Sequence, residues 1–151
     1  VQTCALPIYQ KEEYILIIED DIIFEKNILT HLDSALFSLK KREIDDGLDW
    51  DILYLTVNLK NESDAVLIDK NLLKITNGLT TTAQLFKRED IPKIIDIIES
   101  SVVEIDNTFN DYFKNKYCVY PMCAYQRASY SDINKKMMDY GEFHKKFTYS
   151  L

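Results

Sequence analysis

Short apolar runs alternate with polar segments along the chain, and their lengths predict alternating strands and helices. Residues 14–18 are apolar or aromatic throughout, which is typical of a strand buried on both faces in a parallel sheet. Apolar residues at helical spacing follow over residues 28–39, with the basic residues 40–42 in the last turn, where cations suit the negative end of a helix. Residues 50–56 read as the next buried strand. This succession predicts a βαβ unit whose two strands pair in parallel with a right-handed crossover.

The second half of the chain continues the alternation, with no internal repeat, linker or second domain. A helix is expected to begin near Pro92, because proline fits the first turn. Its apolar stripe, expected in the core, comprises Ile91, Ile94, Ile95 and Ile98. Another helix opens at Ile105, residues 122–133 are polar and irregular, and the tail beyond residue 134 allows a short helix. Further strands are predicted at residues 65–68, 72–75, 81–86 and 117–120.

Composition narrows the class of protein. A chain of 151 residues with 46% hydrophobic and 28% charged residues fits one soluble globular domain without a membrane span. The net charge of −7 argues against nucleic acid as a partner, because phosphate backbones are bound by basic patches. The three cysteines lack zinc-site spacing. With three glycines in all, a glycine-rich phosphate loop is also excluded.

The strongest chemical signal is the acidic triplet Glu19-Asp20-Asp21, directly after the first predicted strand. Three adjacent carboxylates repel one another, and the repulsion is stronger beside low-dielectric protein, so a bound cation is a simple way to neutralise them. In open α/β sheets, ligands bind just outside the carboxyl ends of the strands, where this triplet would lie. Along an extended chain, Glu19 and Asp21 point to one side and Asp20 to the other. A solvated acidic loop is the alternative interpretation.

Several stretches together resemble glycosyltransferase family 25, the lipooligosaccharide and procollagen sugar transferases. The first is the apolar strand with its acidic triplet and the following Ile22-Ile23-Phe24, and the second is the strand that begins at Trp50. The later matches are Gly78 through Ala83 with Phe86-Lys87-Arg88, Ile105-Asp106 before an aromatic helix, and Tyr120-Pro121 leading into Gln126 and Ser131-Asp132-Ile133. Their order over residues 10–135 carries the resemblance. It implies a GT-A-like, Rossmann-like α/β fold with a mixed sheet flanked by helices.

The resemblance also implies a reaction: transfer of a hexose such as galactose from a nucleotide-sugar donor, expected to be a UDP-sugar, to a glycan or protein hydroxyl. Sugar transfer expels a nucleoside diphosphate, whose developing charge needs a cation. Mn²⁺ or Mg²⁺ prefers carboxylate oxygens and keeps positions open for phosphate and water. Asp21 is the leading direct metal ligand. Glu19 is the second metal ligand or, with Asp20, a donor-binding residue near the ribose.

An inverting transfer needs a base for the acceptor hydroxyl, and Asp106 is the candidate because it matches an acidic position of the family before a helix. Asp is also a favoured helix N-cap, which is the competing explanation. Gln126 and Asp132 are candidates for shaping the pocket or for ordinary loop contacts. His144 lies late enough to complete a metal shell, but a surface histidine fits it better, and a structural role fits His31.

The chain departs from the family pattern in two ways. Gln84 stands where the family commonly has tyrosine, which affects the acceptor side. The family's segment ahead of the acidic triplet has no counterpart here, so the sequence is interpreted as N-terminally truncated. The expected division is a non-native or disordered leader at residues 1–9, a partial catalytic domain at residues 10–135 and a C-terminal tail at residues 136–151.

Two other functions and two compartments stay open. The rivals are a non-catalytic interaction domain with a transferase-like fold, and a metal-dependent phosphodiesterase or nuclease that uses the same acids. The absence of a disulfide pattern favours the cytoplasm. Resemblance to animal members implies the lumen of the endoplasmic reticulum instead, where the sequon at Asn61 would matter.

Overall fold

A mixed six-stranded sheet lies at the centre of the molecule, as described by a computed structural model for residues 12–131 and 136–139. In chain order the elements are β1 (Tyr14–Ile18), β2 (Ile22–Phe24), α1 (Ile28–Asp46), β3 (Ile52–Thr56), β4 (Ala65–Asp69), β5 (Leu72–Ile75), β6 (Ala83–Lys87), α2 (Ile91–Ser100), α3 (Ile105–Tyr112), β7 (Lys116–Val119), β8 (Ala124–Gln126), β9 (Ser129–Ser131) and β10 (Lys136–Met138). Single 3₁₀ turns, Glu62–Asp64 and Arg88–Asp90, precede β4 and α2. The predicted α/β class with a mixed sheet and flanking helices is confirmed.

The strand order of the sheet is β1-β6-β3-β7-β5-β4. Strands β3 and β7 are parallel, and the other neighbours are antiparallel. The predicted βαβ unit, in which β1 and β3 pair directly, is therefore wrong. Strand β6 lies between β1 and β3 and is antiparallel to both, so β1 and β3 run in the same direction without sharing hydrogen bonds. A late strand inserted between two early ones has no local signal in the sequence, because strand order depends on long-range contacts.

Strand β1 lies at an edge of the described sheet. Its apolar sequence predicts burial on both faces, and this prediction is wrong. Ile15 is 6% exposed, whereas Leu16 is 36% and Ile18 is 48% exposed. Among the described residues, β1 pairs with β6 alone. Helix α1 packs through Ala35 and Leu39 on the central strands. It therefore leaves much of one face of β1 uncovered.

Helices cover the two faces of the sheet and form two apolar clusters. On one face α2 and α3 pack over the sheet, and Phe109 makes edge-to-face ring contacts with Phe86 and Phe113. On the other face α1 packs against Trp50 and the side chains of β3, β6 and β7. Edge-to-face aromatic pairs contribute roughly 0.5–1.5 kcal/mol beyond their burial. The sheet is thus the middle of three layers.

Helix α1 extends one turn further than predicted, because the basic residues 40–42 are followed by another helical turn that ends at Asp46. Gly47 terminates the helix with a φ of +66°, the left-handed conformation that glycine adopts without a steric cost. The guanidinium of Arg42 contacts Asp69 at 3.3 Å on the β4–β5 hairpin. Arg42 therefore connects the helix to the hairpin and does not stand at the helix end.

Three smaller predictions also need correction. In α2 the buried positions are Ile94 and Ile97, while Ile95 and Ile98 are 41% and 39% exposed, because the helix packs on a face rotated from the predicted stripe. The segment expected to be irregular contains β8 and β9, and the tail forms β10 where a helix was considered. Strand β8 is ordered by antiparallel pairing with β2. Within the described ranges, every helix is too short or too polar to cross a bilayer.

Candidate functional site

The acidic triplet lies at the carboxyl end of β1, the position that its sequence predicted. Ile18 and Thr56 are both in register with Ala83 of β6, so β1 and β3 end at the same edge of the sheet. Strand β7 ends there too, because it is parallel to β3. The β2–β8 ribbon starts directly beyond this edge. The edge therefore gathers the ends of three strands, as ligand sites of open α/β sheets do.

Glu19 is held by donors from two distant parts of the chain. Its Oε1 accepts a hydrogen bond of 2.6 Å from the Thr81 hydroxyl. Its Oε2 accepts bonds of 3.3 Å from the Thr82 hydroxyl and 3.0 Å from the side-chain amide of Gln126. The backbone amide of Glu19 donates to the Thr82 carbonyl at 2.9 Å. Hydrogen bonds to a carboxylate are stronger than neutral ones, so this side chain is fixed while its negative charge stays uncompensated by any described cation.

Asp21 differs from Glu19, because one of its side-chain oxygens accepts no hydrogen bond from the described residues. Its Oδ1 is buried and makes no hydrogen bond to any described residue. Its carbonyl oxygen accepts a 2.8 Å bond from the Arg127 amide, which ties it to the exit of β8. A buried acceptor without a partner costs about 1–3 kcal/mol. A cation or a donor group placed at this oxygen would remove that cost.

The triplet does not form a complete metal cage by itself. Asp20 lies exposed in the turn between Glu19 and Asp21. Within residues 12–131 and 136–139, no three Asp, Glu, His or Cys side chains converge as ligands. Mn²⁺ and Mg²⁺ commonly take few protein ligands and fill the remaining positions with phosphate oxygens and water. Asp21 fits such an arrangement, whereas Glu19 already uses both oxygens in hydrogen bonds, and its role as a ligand stays a prediction.

Asp106 occupies the first turn of α3, but it is not the N-cap, which is Glu104. Its Oδ1 accepts a 2.8 Å bond from the backbone amide of Asn107. Burial raises the pKa of Tyr54, and the charges of Cys118 and Asp106 raise it further. No hydrogen bond or ion pair in the described part of the chain connects Asp106 to the triplet.

The other candidate residues lie in different parts of the chain. Gln126 reaches Glu19 directly, so it lies in the site. Gln84 is 2% exposed and donates to the Thr80 carbonyl at 3.4 Å, which places it beneath the segment before β6. His31 is half-buried in the first turn of α1. Asp132 and His144 lie outside the described residues.

The threonine hydroxyls at positions 81 and 82 are the contribution that sequence reasoning missed. Threonine is common in strands, and both residues lie at the start of a predicted strand, so the sequence alone indicates no chemical role for their side chains. A usable signal is the polar run Thr80-Thr81-Thr82 just before the buried start of β6. Hydroxyls at that point face the strand ends, where an acid needs donors.

A groove of about 880 Å³ lies elsewhere, between α1 and the β4–β5 turn. Its lining includes Phe37 and the Arg42–Asp69 ion pair, and no residue of the triplet lines it. One ion pair, Arg42–Asp69, spans the groove, and no buried side-chain polar atom of its described lining residues lacks a hydrogen-bond partner. We place the candidate site at the triplet, because convergent donors occur there together with an Asp21 oxygen that no described residue contacts by a hydrogen bond.

No protein family model matches the chain, and no curated protein matches it at a significant level. The functional assignment therefore depends on the residues and geometry of the site itself.

Proposed function

We propose that the chain carries the donor- and metal-binding edge of a GT-A-like glycosyltransferase, which transfers a hexose from a UDP-sugar to a glycan or protein hydroxyl. The observation that carries the proposal is the pair of contrasting carboxylates at the end of β1. Glu19 is immobilised by three side-chain donors, and Asp21 presents a buried oxygen that has no partner among the described residues. The resemblance of the ordered stretches supports the sugar-transfer assignment.

The three acids have different tasks in this proposal. Asp21 binds the divalent cation through its unpaired oxygen. Glu19 keeps the turn in place and supplies negative charge beside the cation, and exposed Asp20 is available to the donor's ribose hydroxyls. When bound, Mn²⁺ or Mg²⁺ neutralises the charge that develops on the leaving diphosphate. Because Thr81, Thr82 and Gln126 fix Glu19 in advance, the site needs little reorganisation when the donor binds.

Asp106 is proposed as the base that accepts the proton of the acceptor hydroxyl. It is half-buried and forms no ion pair with any described cation, so its carboxylate is not neutralised by a neighbour. Its Oδ1 accepts a hydrogen bond from the backbone amide of Asn107 at 2.8 Å. This role requires the acceptor to reach α3 and the strand ends together.

The proposal is tested by calorimetric titration of Mn²⁺ and UDP into the wild type, Asp21→Asn and Asp20→Asn. Asp21→Asn is expected to weaken Mn²⁺ binding about tenfold or more, by analogy with losses at metal sites. Asp20→Asn is the matched control, expected to keep Mn²⁺ affinity while weakening UDP.

Two results would reject the transferase. A wild type that binds neither Mn²⁺ nor UDP favours the non-catalytic interaction domain. Mn²⁺-dependent hydrolysis of bis(p-nitrophenyl) phosphate, lost in Asp21→Asn and indifferent to UDP, favours a phosphodiesterase.

A further inference from the structure

Asn110 on α3 uses the full hydrogen-bonding capacity of its side chain on one loop and one lysine. Its Oδ1 accepts bonds from Lys116 Nζ at 2.8 Å and from the backbone amide of Gly78 at 3.1 Å. Its Nδ2 donates to the carbonyl of Gly78 at 2.7 Å and to Oδ1 of Asn77 at 2.9 Å. An asparagine side chain has two donors and two acceptor lone pairs. All of them are engaged, and three of the four bonds hold residues 77 and 78.

Lys116 determines which way the Asn110 amide faces. Its side chain is 1% exposed on β7, and its described hydrogen bond goes to Asn110. A lysine ammonium is a donor without acceptor capacity, so the oxygen of Asn110 must face it. In that orientation the amide matches the N–H and the C=O of Gly78 together. The reversed orientation would oppose donor to donor at both Lys116 and the Gly78 amide.

The loop at residues 77–82, which Asn110 holds, is packed tightly and leads directly to the candidate site. A Cβ on Gly78 would lie 2.7 Å from Cγ2 of Val57, so the backbone lies flush on the end of β3. The amide of Leu79 donates to the Asn58 carbonyl at 2.8 Å. Thr81 and Thr82, whose hydroxyls bind Glu19, follow within a few residues. The path from Asn110 to Glu19 is therefore short and hydrogen-bonded at both ends.

We propose that Asn110, oriented by the buried Lys116, is a positioning residue for the Glu19–Asp21 site, because it fixes the loop at residues 77–82 that supplies the Thr81 and Thr82 donors. The consequence for donor binding rests on the proposed function. The claim that α3 sets the position of Glu19 through this loop does not depend on the proposed function.

The test compares Asn110→Ala with Asn107→Ala, which removes an exposed asparagine from the same helix. Amide hydrogen exchange is followed at Leu79 and Glu19, whose amides bond to Asn58 and Thr82, and at Tyr120, whose amide bonds to Asn71 as an internal reference. Asn110→Ala is expected to speed exchange at Leu79 and Glu19 about tenfold, which corresponds to a loss of about 1.4 kcal/mol, within the range for a hydrogen bond. Tyr120 should not change, and Asn107→Ala should change none of the three.

A second variant covers the case in which Asn110→Ala unfolds. Asn110→Asp keeps the acceptor for Lys116 and the Gly78 amide but loses both Nδ2 donors, so exchange at Leu79 and Glu19 should still rise. Unchanged exchange at these two amides in a folded variant overturns the proposal.

Titration of Mn²⁺ with UDP separates this inference from the function. Weaker binding in Asn110→Ala, together with faster exchange, supports both. A wild type that binds neither ligand rejects the transferase, and the exchange data still decide the role of Asn110. Unchanged affinity with faster exchange rejects the consequence for donor binding and supports the role of Asn110 in holding Glu19.

Discussion

The side-chain amide of Gln126 donates a 3.0 Å hydrogen bond to Oε2 of Glu19 across a sequence separation of 107 residues. This bond joins the end of the edge strand β1 to the β2–β8 ribbon. The hydroxyls of Thr81 and Thr82 approach the same carboxylate from the start of β6. The geometry of the first acid in the triplet is therefore set by tertiary contacts and not by the triplet itself.

Gln126→Ala is expected to lower the free energy of unfolding by about 1 kcal/mol, because a part-buried carboxylate loses one donor. Gln126→Glu should cost more, since it replaces the donor by a second carboxylate beside Glu19. The difference between the two variants should shrink in high salt, which screens repulsion. Urea denaturation at low and high ionic strength measures both effects. Equal stability of the two variants at low salt would mean that Gln126 does not contact Glu19 in solution.

Gly47→Ala should destabilise the protein by about 1 kcal/mol, because Gly47 has a φ of +66° and a side chain strains that conformation. No atom lies within 4 Å of the position that a Cβ would take, so the cost is one of backbone conformation alone. Gly47→Asn should cost less, since asparagine tolerates the left-handed region. Thermal or urea unfolding of the two variants provides the measurement, and an alanine variant as stable as the wild type would contradict it.

Gly78→Ala is expected to lower the stability of the protein for a different reason, a steric clash. The new Cβ would lie 2.7 Å from Cγ2 of buried Val57, so the loop or the strand end must shift. Combining Gly78→Ala with Val57→Ala removes the clashing methyl group. A double-mutant cycle should therefore show a double variant that is more stable than the sum of the single losses, with a coupling of about 0.5–3 kcal/mol. Additive losses would place the cost of Gly78→Ala elsewhere.

Local features of the sequence predicted much of the fold. The β4–β5 hairpin follows from two apolar runs around the polar residues 69–71, and α2 begins near Pro92 as its first-turn preference indicates. The acidic triplet lies at a strand end because the apolar run stops there. Each of these depends on neighbours in the chain, so each leaves a readable pattern.

Long-range pairing left no such pattern. Nothing in residues 14–18 indicates that β6 will pair with them, and an all-apolar run looks the same at an edge as in the middle of a sheet. The donors to Glu19 come from β6 and β8, which are distant in sequence, so sequence reasoning identified the acids and missed the hydroxyls that orient one of them.

Lys116 should give the stability of the protein a distinct pH dependence. Burial, with a smaller contribution from Lys114 and Lys74, lowers the pKa of its ammonium from 10.5 to about 8. Below about pH 8 the lysine is protonated in both the folded and unfolded states, and its unfavourable burial is fully present. Between about pH 8 and the unfolded pKa, the unfolded state binds more protons, so the Lys116 contribution to the free energy of unfolding rises with pH.

Comparison with Lys116→Met isolates this contribution. Burial raises the pKa values of Cys118 and Cys123. The thiols of the unfolded chain therefore lose their protons first, and the free energy of unfolding falls as the pH rises past their unfolded pKa. Because both proteins contain these cysteines, the effect cancels in the difference between them. The free energy of unfolding of the wild type minus that of Lys116→Met should therefore increase from neutral pH to about pH 9.5. Urea denaturation at intervals over this range measures it. A difference that stays constant with pH would mean that the ammonium reaches water, and that Lys116 does not hold the Asn110 amide as a buried cation.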